Sequence, residues 1–377
     1  PEEKVENLLF PEQLVLHMGE DRHTVFYPQD TFYQIVLTKL QSREFKGFQR
    51  DAVQTTDWDL VRKEDLGVEV RFGRPVPFEL LQRVFKIDGD FLFSGDSITR
   101  IWIFARKDRD EVRTFFFSSD GRSVYESQRA DLTVQDVQQY TGFGQYWTPF
   151  QYWNGIYVPV QAKSYPVLKA AYSRFTPDQM QRNLFLDPTT TRTIQDRQDG
   201  TQIYTDGKRG LKVEQAGGWL TYTDPVAPTD SENNLTDNIA SAVQFVNQHG
   251  GWNGMHRLVR TEATAGANAV WFQQYYNGLP IQSDERFRFG YMQLSIQQGV
   301  VSSYERSLIT LDMEPTKTGQ RKLPAADALK RLIRETASGG VVETIYPAYR
   351  PKLEDKSVLL TPVWAIRLTT GEVRTFG

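Results

Sequence analysis

The chain has 377 residues, 44 Lys and Arg against 47 Asp and Glu, a formal net charge of −3 and no cysteine. That length has room for two to three domains, each large enough to bury its own core. The near-balanced charge supplies no electrostatic footprint for nucleic acid, and the lack of cysteine excludes disulfides, thiolate metal sites and a cysteine nucleophile.

Aromatic residues make up 13% of the chain, a share that favours β structure. No apolar run approaches the roughly 20 residues that span a bilayer, and no signal peptide is present. The charged lead PEEKVENLLFPEQ, beginning at Pro1, reads as an edge where a longer protein has been cut.

In chain order, residues 13–18 and 23–27 read as short strands and 30–40 as a helix. Residues 67–72 form another strand, and Pro77 opens a helix holding Phe78, Leu81 and Phe85. Along 97–105, Ile101 and Ile103 alternate with Trp102 and Phe104, as a strand with two faces requires. Residues 112–117 and 123–126, separated by Asp120-Gly121, make a hairpin, and a helix covers 133–140. From Gly142 the composition shifts. GFGQYWTPFQYWNGIY puts seven aromatics into sixteen residues, with Gly142-Phe143-Gly144 read as a hinge.

A middle segment follows, with a strand over 156–162 and a helix capped by Thr176 with Pro177 in its first turn. Asp199-Gly200, Asp206-Gly207 and Gly217-Gly218 then separate three strands of a meander, 202–205, 211–214 and 219–223. Asp224–Asn233 is a polar, Pro-containing linker. Leu235, Ile239, Ala242, Val243 and Val246 recur at helical spacing, with Asp230 or Ser231 as cap.

The stretch Ala269–Leu311 reads as strand, Asn277-Gly278 turn, long bent strand, turn and strand. Phe287, Phe289 and Tyr291 share one phase, while Met292, Leu294 and Ile296 take the other, which places a bulge beside Gly290. Such a sheet needs a covering helix. The candidates are the helix before it and a second after Pro324, with stripe Ala325, Ala328, Leu329, Leu332 and Ile333. Two strands, 341–346 and 359–368, close the chain.

The fold class is therefore α+β, with antiparallel sheets and packed helices. Three domains are expected: 1–147, 148–229 with helix and meander, and 230–377. EVRTF occurs at Glu111–Phe115 and again at Glu372–Phe376, each after a strand with a tryptophan, Trp102 and Trp364. The echo suggests two domains of shared topology.

Chemistry is sparse in this sequence. His17 and His23 lie on or beside separate strands with no third ligand at metal spacing, and His249 and His256 flank a Gly-rich turn. Asp187, Asp196 and Asp199 suit a calcium loop or a glycosidase pair, but Asp-Pro and Asp-Gly are turn formers and the spacing matches no calcium loop. Asn234-Leu235-Thr236 is a formal sequon that also suits the entrance to a helix. No nucleophile elbow, metalloprotease helix or phosphate loop occurs, so neither catalysis nor a cofactor is expected. Tyr146, Trp147, Tyr152 and Trp153 are candidate protein contacts, because Trp and Tyr are enriched at binding hot spots. The competing reading has them packing at a domain junction.

WFQQYYNGLPI, the Ala-rich helix and TPVWAIRLTTGEV resemble the PepSY-type propeptide module. Over most of its length, including TPDQMQRNLFLDP and QIYTDGKRGLKV, the sequence is similar to the YycH (WalH) family. The resemblance implies an extracytoplasmic regulator that acts with YycI on the YycG/WalK sensor histidine kinase of Gram-positive bacteria. It also implies control of cell-wall metabolism, a single membrane helix ahead of the soluble part, and a YycI/PepSY-like C-terminal domain. Two other classes stay open: a cell-wall sugar-binding protein or hydrolase, and a PepSY-type protease inhibitor.

Overall fold

A computed structural model describes residues 2–51, 55–89, 95–185, 189, 191–214, 216, 218–225, 233–264 and 266–377. Strands β1 (Gln13–Met18) and β2 (His23–Phe26) precede helix α1 (Thr31–Gln41). Next come β3 (Glu44–Asp51), α2 (Trp58–Glu64), β4 (Leu66–Pro77), α3 (Phe78–Leu81) and β5 (Lys86–Asp88). They lead to β6 (Ser97–Ala105), β7 (Val112–Ser118), β8 (Val124–Ala130) and α4 (Val134–Gly142). After β9 (Phe150–Trp153) and β10 (Ile156–Pro159) stand the long β11 (Lys163–Arg174) and α5 (Pro177–Leu184). The meander β12 (Arg192–Gln195), β13 (Gln202–Thr205), β14 (Gly210–Glu214) and β15 (Trp219–Thr223) precedes α6 (Leu235–Gln248). β16 (Met255–Thr264), β17 (Ala267–Tyr276), β18 (Leu279–Pro280), β19 (Tyr291–Gln297) and β20 (Val300–Ser307) follow. The chain closes with β21 (Ile309–Leu311), β22 (Thr316–Leu323), α7 (Ala326–Ala337), β23 (Val342–Leu353), β24 (Ser357–Leu368) and β25 (Val373–Phe376).

Local chemistry accounts for most helix starts. Thr133 and Thr176 each form a reciprocal capping box, with Asp136 and Gln179 respectively, which satisfies otherwise orphaned N–H groups. Asn234 caps α6 by accepting from the Asp237 N–H. The expected caps Asp230 and Ser231, like Gly217, lie outside the described residues. Pro324 precedes α7 instead of opening it: Ala325 is the N-cap, and the Pro324 carbonyl accepts from Trp364 Nε1 at 2.9 Å. The helix after Pro77 is a single turn that ends before Phe85.

The described residues form two units, each assembled from separated stretches. The ten-strand unit comprises residues 9–164, 322–347 and 363–377. Its sheet runs β10-β9-β2-β1-β4-β6-β7-β8-β3-β5, antiparallel except for β3 against β5. Leu14, Leu16, Val68, Val70, Ile101 and Ile103 are buried, and α4 packs against β1, β4 and β6. On the other face Trp58 of α2 lies against Trp102 at 4.8 Å. It also meets Phe104, Phe115 and Phe117 edge-on.

The nine-strand unit comprises residues 1–8, 165–321 and 348–362. Its principal sheet follows β12-β13-β14-β15-β20-β19-β17-β16, with β18 hydrogen-bonded to β17. β15 pairs directly with β20, Trp219 opposite Ser307, so the meander and the strands after α6 form one sheet. Ile239, Ala242, Val243 and Val246 of α6 are buried and the helix packs on β17, β19 and β20. The second expected covering helix, α7, belongs to the ten-strand unit, where it packs against β10 and β25. The stretches that build the units differ in their limits from 1–147, 148–229 and 230–377. That three-part division stays a proposal about independent folding.

The expected long bent strand before Gly290 does not form. Asn277 and Gly278 both take positive φ, as a tight hairpin turn requires. β18 then ends after two residues, and Asp284 accepts from the Arg286 and Phe287 N–H groups in a side-chain turn. Gly290 has φ of 91°, and a Cβ there would come within 2.7 Å of Ile281 Cγ2. The phase change is thus a loop ending at a close backbone approach. The register shift in this region falls at Ser295/Ile296, between β19 and β20.

The EVRTF echo is a repeated hairpin register. In β6–β7, Trp102 stands opposite Phe115 and Phe104 opposite Arg113. In β24–β25, Trp364 stands opposite Phe376 and Ile366 opposite Arg374. Both hairpins lie in the ten-strand unit.

Candidate functional site

The four aromatic residues read from the sequence face different surroundings in the ten-strand unit. Tyr146 is 82% exposed. Trp147 is half-buried against Phe26 and Phe32. The Lys163 ammonium lies 4.5 Å from its ring centre, a cation–π contact. Tyr152 lies under the Arg62 guanidinium at 3.9 Å and beside Tyr157. Trp153 meets Arg334 and Lys330 of α7. Asn154-Gly155, both at positive φ, turns β9 into β10, a hairpin absent from the sequence reading. The expected hinge is a 3-10 turn extending α4. There Gly144 is buried, and a Cβ would approach Met18 Sδ to 2.9 Å; tight packing, not freedom, explains that glycine.

Beneath Tyr152 lies a polar cluster of larger chemical content. The β1–β2 hairpin sets His17 directly opposite His23, and their Nδ1 atoms are 2.8 Å apart. His17 Nε2 contacts Glu69 Oε2 at 2.6 Å, and His23 Nε2 contacts Asp21 Oδ1 at 2.8 Å. Glu69 is fully buried. Its Oε2 also accepts from the Tyr157 hydroxyl at 3.3 Å, and its Oε1 accepts from Arg100 at 3.2 Å and Arg71 at 3.4 Å. Trp102 stacks on His17 with ring centres 5.1 Å apart. The sheet makes this convergence possible because Val15 pairs with Glu69, Glu69 with Trp102, and Arg71 with Arg100. Gly67 faces His17, where a Cβ would come within 2.9 Å of the Ile103 carbonyl oxygen.

Proton bookkeeping defines the states of this chain. A carboxylate only accepts, so neutral His17, the form its burial favours, donates from Nε2 to Glu69 and accepts at Nδ1. His23 therefore donates from Nδ1, and in its neutral form meets Asp21 with the lone pair of Nε2. One added proton on His23 turns that contact into a charge-assisted bond. Burial pushes both imidazoles toward neutrality, and His23, with His17 as a further cause, is lowered to about 4. For Glu69 burial acts to raise the pKa. Arg71, the His17 bond and Arg100 outweigh it and hold the group well below the usual carboxylate range. Hydrogen-bond contacts thus run from exposed Asp21 through the two rings to buried Glu69.

His17 and His23 were legible as residues on or beside short strands, but not as partners. The usable signal was the turn: Gly19, Glu20 and Asp21 all take positive φ, which folds β2 back so that the two rings meet. The other candidates are placed elsewhere. His249 Nδ1 contacts the Phe245 carbonyl oxygen at 2.7 Å, and its ring stacks on Phe245. His256 is buried, with Nδ1 3.0 Å from the Gly254 carbonyl oxygen. Asp196 and Asp199 accept from the backbone N–H groups of Gln198 and Thr201, turn chemistry in both cases. Asp187 lies outside the described residues.

The chain matches the family model for the YycH protein N-terminal domain over residues 1–141, and that for the YycH C-terminal domain over 154–372. The crystal structure of YycH from Bacillus subtilis is similar, with a TM-score of 0.77 and 15% identity, covering 100% of this chain and 97% of that one. The Bacillus megaterium YpeB C-terminal domain overlaps 54% of this chain and 99% of its own, with a TM-score of 0.30 and 14% identity. By sequence, no curated protein matches the chain.

Proposed function

This chain belongs to the YycH family, and on that premise we propose that it is a non-catalytic, extracytoplasmic regulator. Its target is the YycG/WalK sensor histidine kinase, on which it acts together with YycI in the two-component system that governs cell-wall metabolism. The observation that carries the reading is the pair of family models, which match residues 1–141 and 154–372. The polar cluster supports it as well: His17, Arg71 and Arg100 each hydrogen-bond to Glu69, an arrangement suited to holding a sheet.

No helix among the described residues is long and apolar enough to cross a membrane. The reading includes a single-pass anchor outside these residues. Tethering all partners to one membrane raises their effective concentration, so a weak soluble interface suffices. Helix α6 with antiparallel β16, β17, β19 and β20 also supports reading the C-terminal part as a YycI/PepSY-like module.

The test is a membrane pull-down of the full-length protein with and without its anchor. Kinase and YycI should co-purify with the anchored form, and residues 1–377 alone should capture little of either. Recovery of neither partner by the anchored form would overturn the proposal in favour of cell-wall binding.

A further inference from the structure

Next to the histidine cluster, within the ten-strand unit, the sheet opens into a cavity of about 420 Å³, a size that holds small molecules. It forms because β4 leaves the β6 ladder between Arg71 and Val76, so that the chain from Gly73 to Pro75 makes a rim. Four arginines line it: Arg71, Arg74, Arg100 and Arg367.

Their surroundings differ in charge. Arg367 is answered by Glu12 in a bidentate pair, to Oε2 at 2.8 Å and to Oε1 at 3.2 Å, a strong fork-to-carboxylate arrangement. Glu343 adds a further bond to Arg367 at 2.8 Å. Arg71 and Arg100 stand directly opposite each other on β4 and β6, where like charges repel. Both reach the same oxygen of the same carboxylate, Glu69 Oε1. Two guanidiniums on Glu69 leave one positive charge in excess, and two carboxylates on Arg367 leave one negative. With Arg74 at the rim, the four arginines outnumber the three glutamates by one. Arg71 Nε is buried and has no hydrogen-bond partner among the described residues, a costly condition unless a further acceptor arrives. Thr99 and Ser119 add hydroxyl groups to the lining.

We propose that this cavity binds a small anionic molecule, a phosphate or carboxylate group on a hydroxylated body, held by the forks of Arg71 and Arg100 with Arg74 at the mouth. Guanidinium forks match both oxyanions in geometry, so the two sources of charge are separated by experiment. Glycerol 3-phosphate, glucuronate and uncharged glycerol would be titrated calorimetrically into the 377-residue chain at matched ionic strength. At least one anion should bind tenfold or more tightly than glycerol, and the tighter of the two identifies the charged group. Arg100→Gln should weaken that binding at least tenfold. Ser119→Trp, at an exposed position of the lining, should do the same by occlusion with every charge retained, and circular dichroism would confirm that both variants are folded. Failure of both anions to bind below about 10 mM, a fragment-scale affinity, or binding unchanged in both folded variants, would overturn the proposal.

Discussion

His17 and His23 face each other across the β1–β2 hairpin with Nδ1 atoms 2.8 Å apart, and both side chains are sealed from solvent. The pair joins exposed Asp21 to buried Glu69.

Stability should fall as the solution is acidified below neutrality. His23 is held at about 4 in the fold against 6.5 in its ordinary state. Between those values the unfolded chain takes up a proton that the folded chain refuses, so this contribution is complete above pH 6.5 and lost as pH drops toward 4. Its full size is about 3 kcal/mol at ~1.4 kcal/mol per pH unit. Buried His256, lowered to about 4 by its own burial, adds a contribution of the same sign. Urea midpoints measured from about pH 7.5 to about pH 4.5 should decline, and His23→Asn should decline less steeply. Parallel pH profiles for the two proteins would show that the shift at His23 is not expressed in stability.

Glu69→Gln should destabilise the ten-strand unit by about 2–4 kcal/mol, because it leaves the half-buried guanidiniums of Arg71 and Arg100 without their shared, fully buried counter-charge. Glu44→Gln removes an exposed partner of Lys46 and should change stability by less than about 1 kcal/mol. Chemical denaturation of the two variants checks the contrast. Equal losses would mean that the cluster is not the electrostatic centre of the unit.

The repeated hairpins should respond differently to the same substitution. Trp364 Nε1 donates to the Pro324 carbonyl oxygen, whereas Trp102 Nε1 is buried with no partner among the described residues. Trp364→Phe breaks a bond and Trp102→Phe does not, so the former should cost about 1 kcal/mol more. Equilibrium unfolding monitored by circular dichroism gives the difference, and an equal or reversed order would refute it.

Residues 148–229 expressed alone should not unfold cooperatively. Their last strand, β15, draws its partner β20 from beyond residue 229, and buried Trp219 and Leu220 would lose part of their cover. A sharp thermal transition with dispersed amide resonances for that fragment would support the three-part division instead.

Local instructions were plain in the sequence wherever the physics is local. Thr176 announced its helix because a hydroxyl three residues from an accepting side chain closes a capping box without tertiary help, and the same box forms at Thr133. Strands β1, β6, β13 and β15 were readable from alternation and turn residues, and the α+β class followed. The absence of cysteine also removed thiolate chemistry from any site.

Convergence of distant residues was a different matter. Glu69 looks like one carboxylate among 47 acidic residues, and only the ladder of β1, β4 and β6 gives it His17, Arg71 and Arg100 as partners. β11 escaped notice because its burial pattern mixes exposed and covered positions without clean alternation. The loop before Gly290 was read as strand because Phe287 and Phe289 are two residues apart, yet they stack on each other at 5.3 Å inside an irregular turn. Alternation and capping are set by neighbours along the chain, and the sequence by itself determined them. Which carboxylate is buried, which arginines share it and which helix covers which sheet depend on contacts between residues far apart in sequence, and only the tertiary structure decided those.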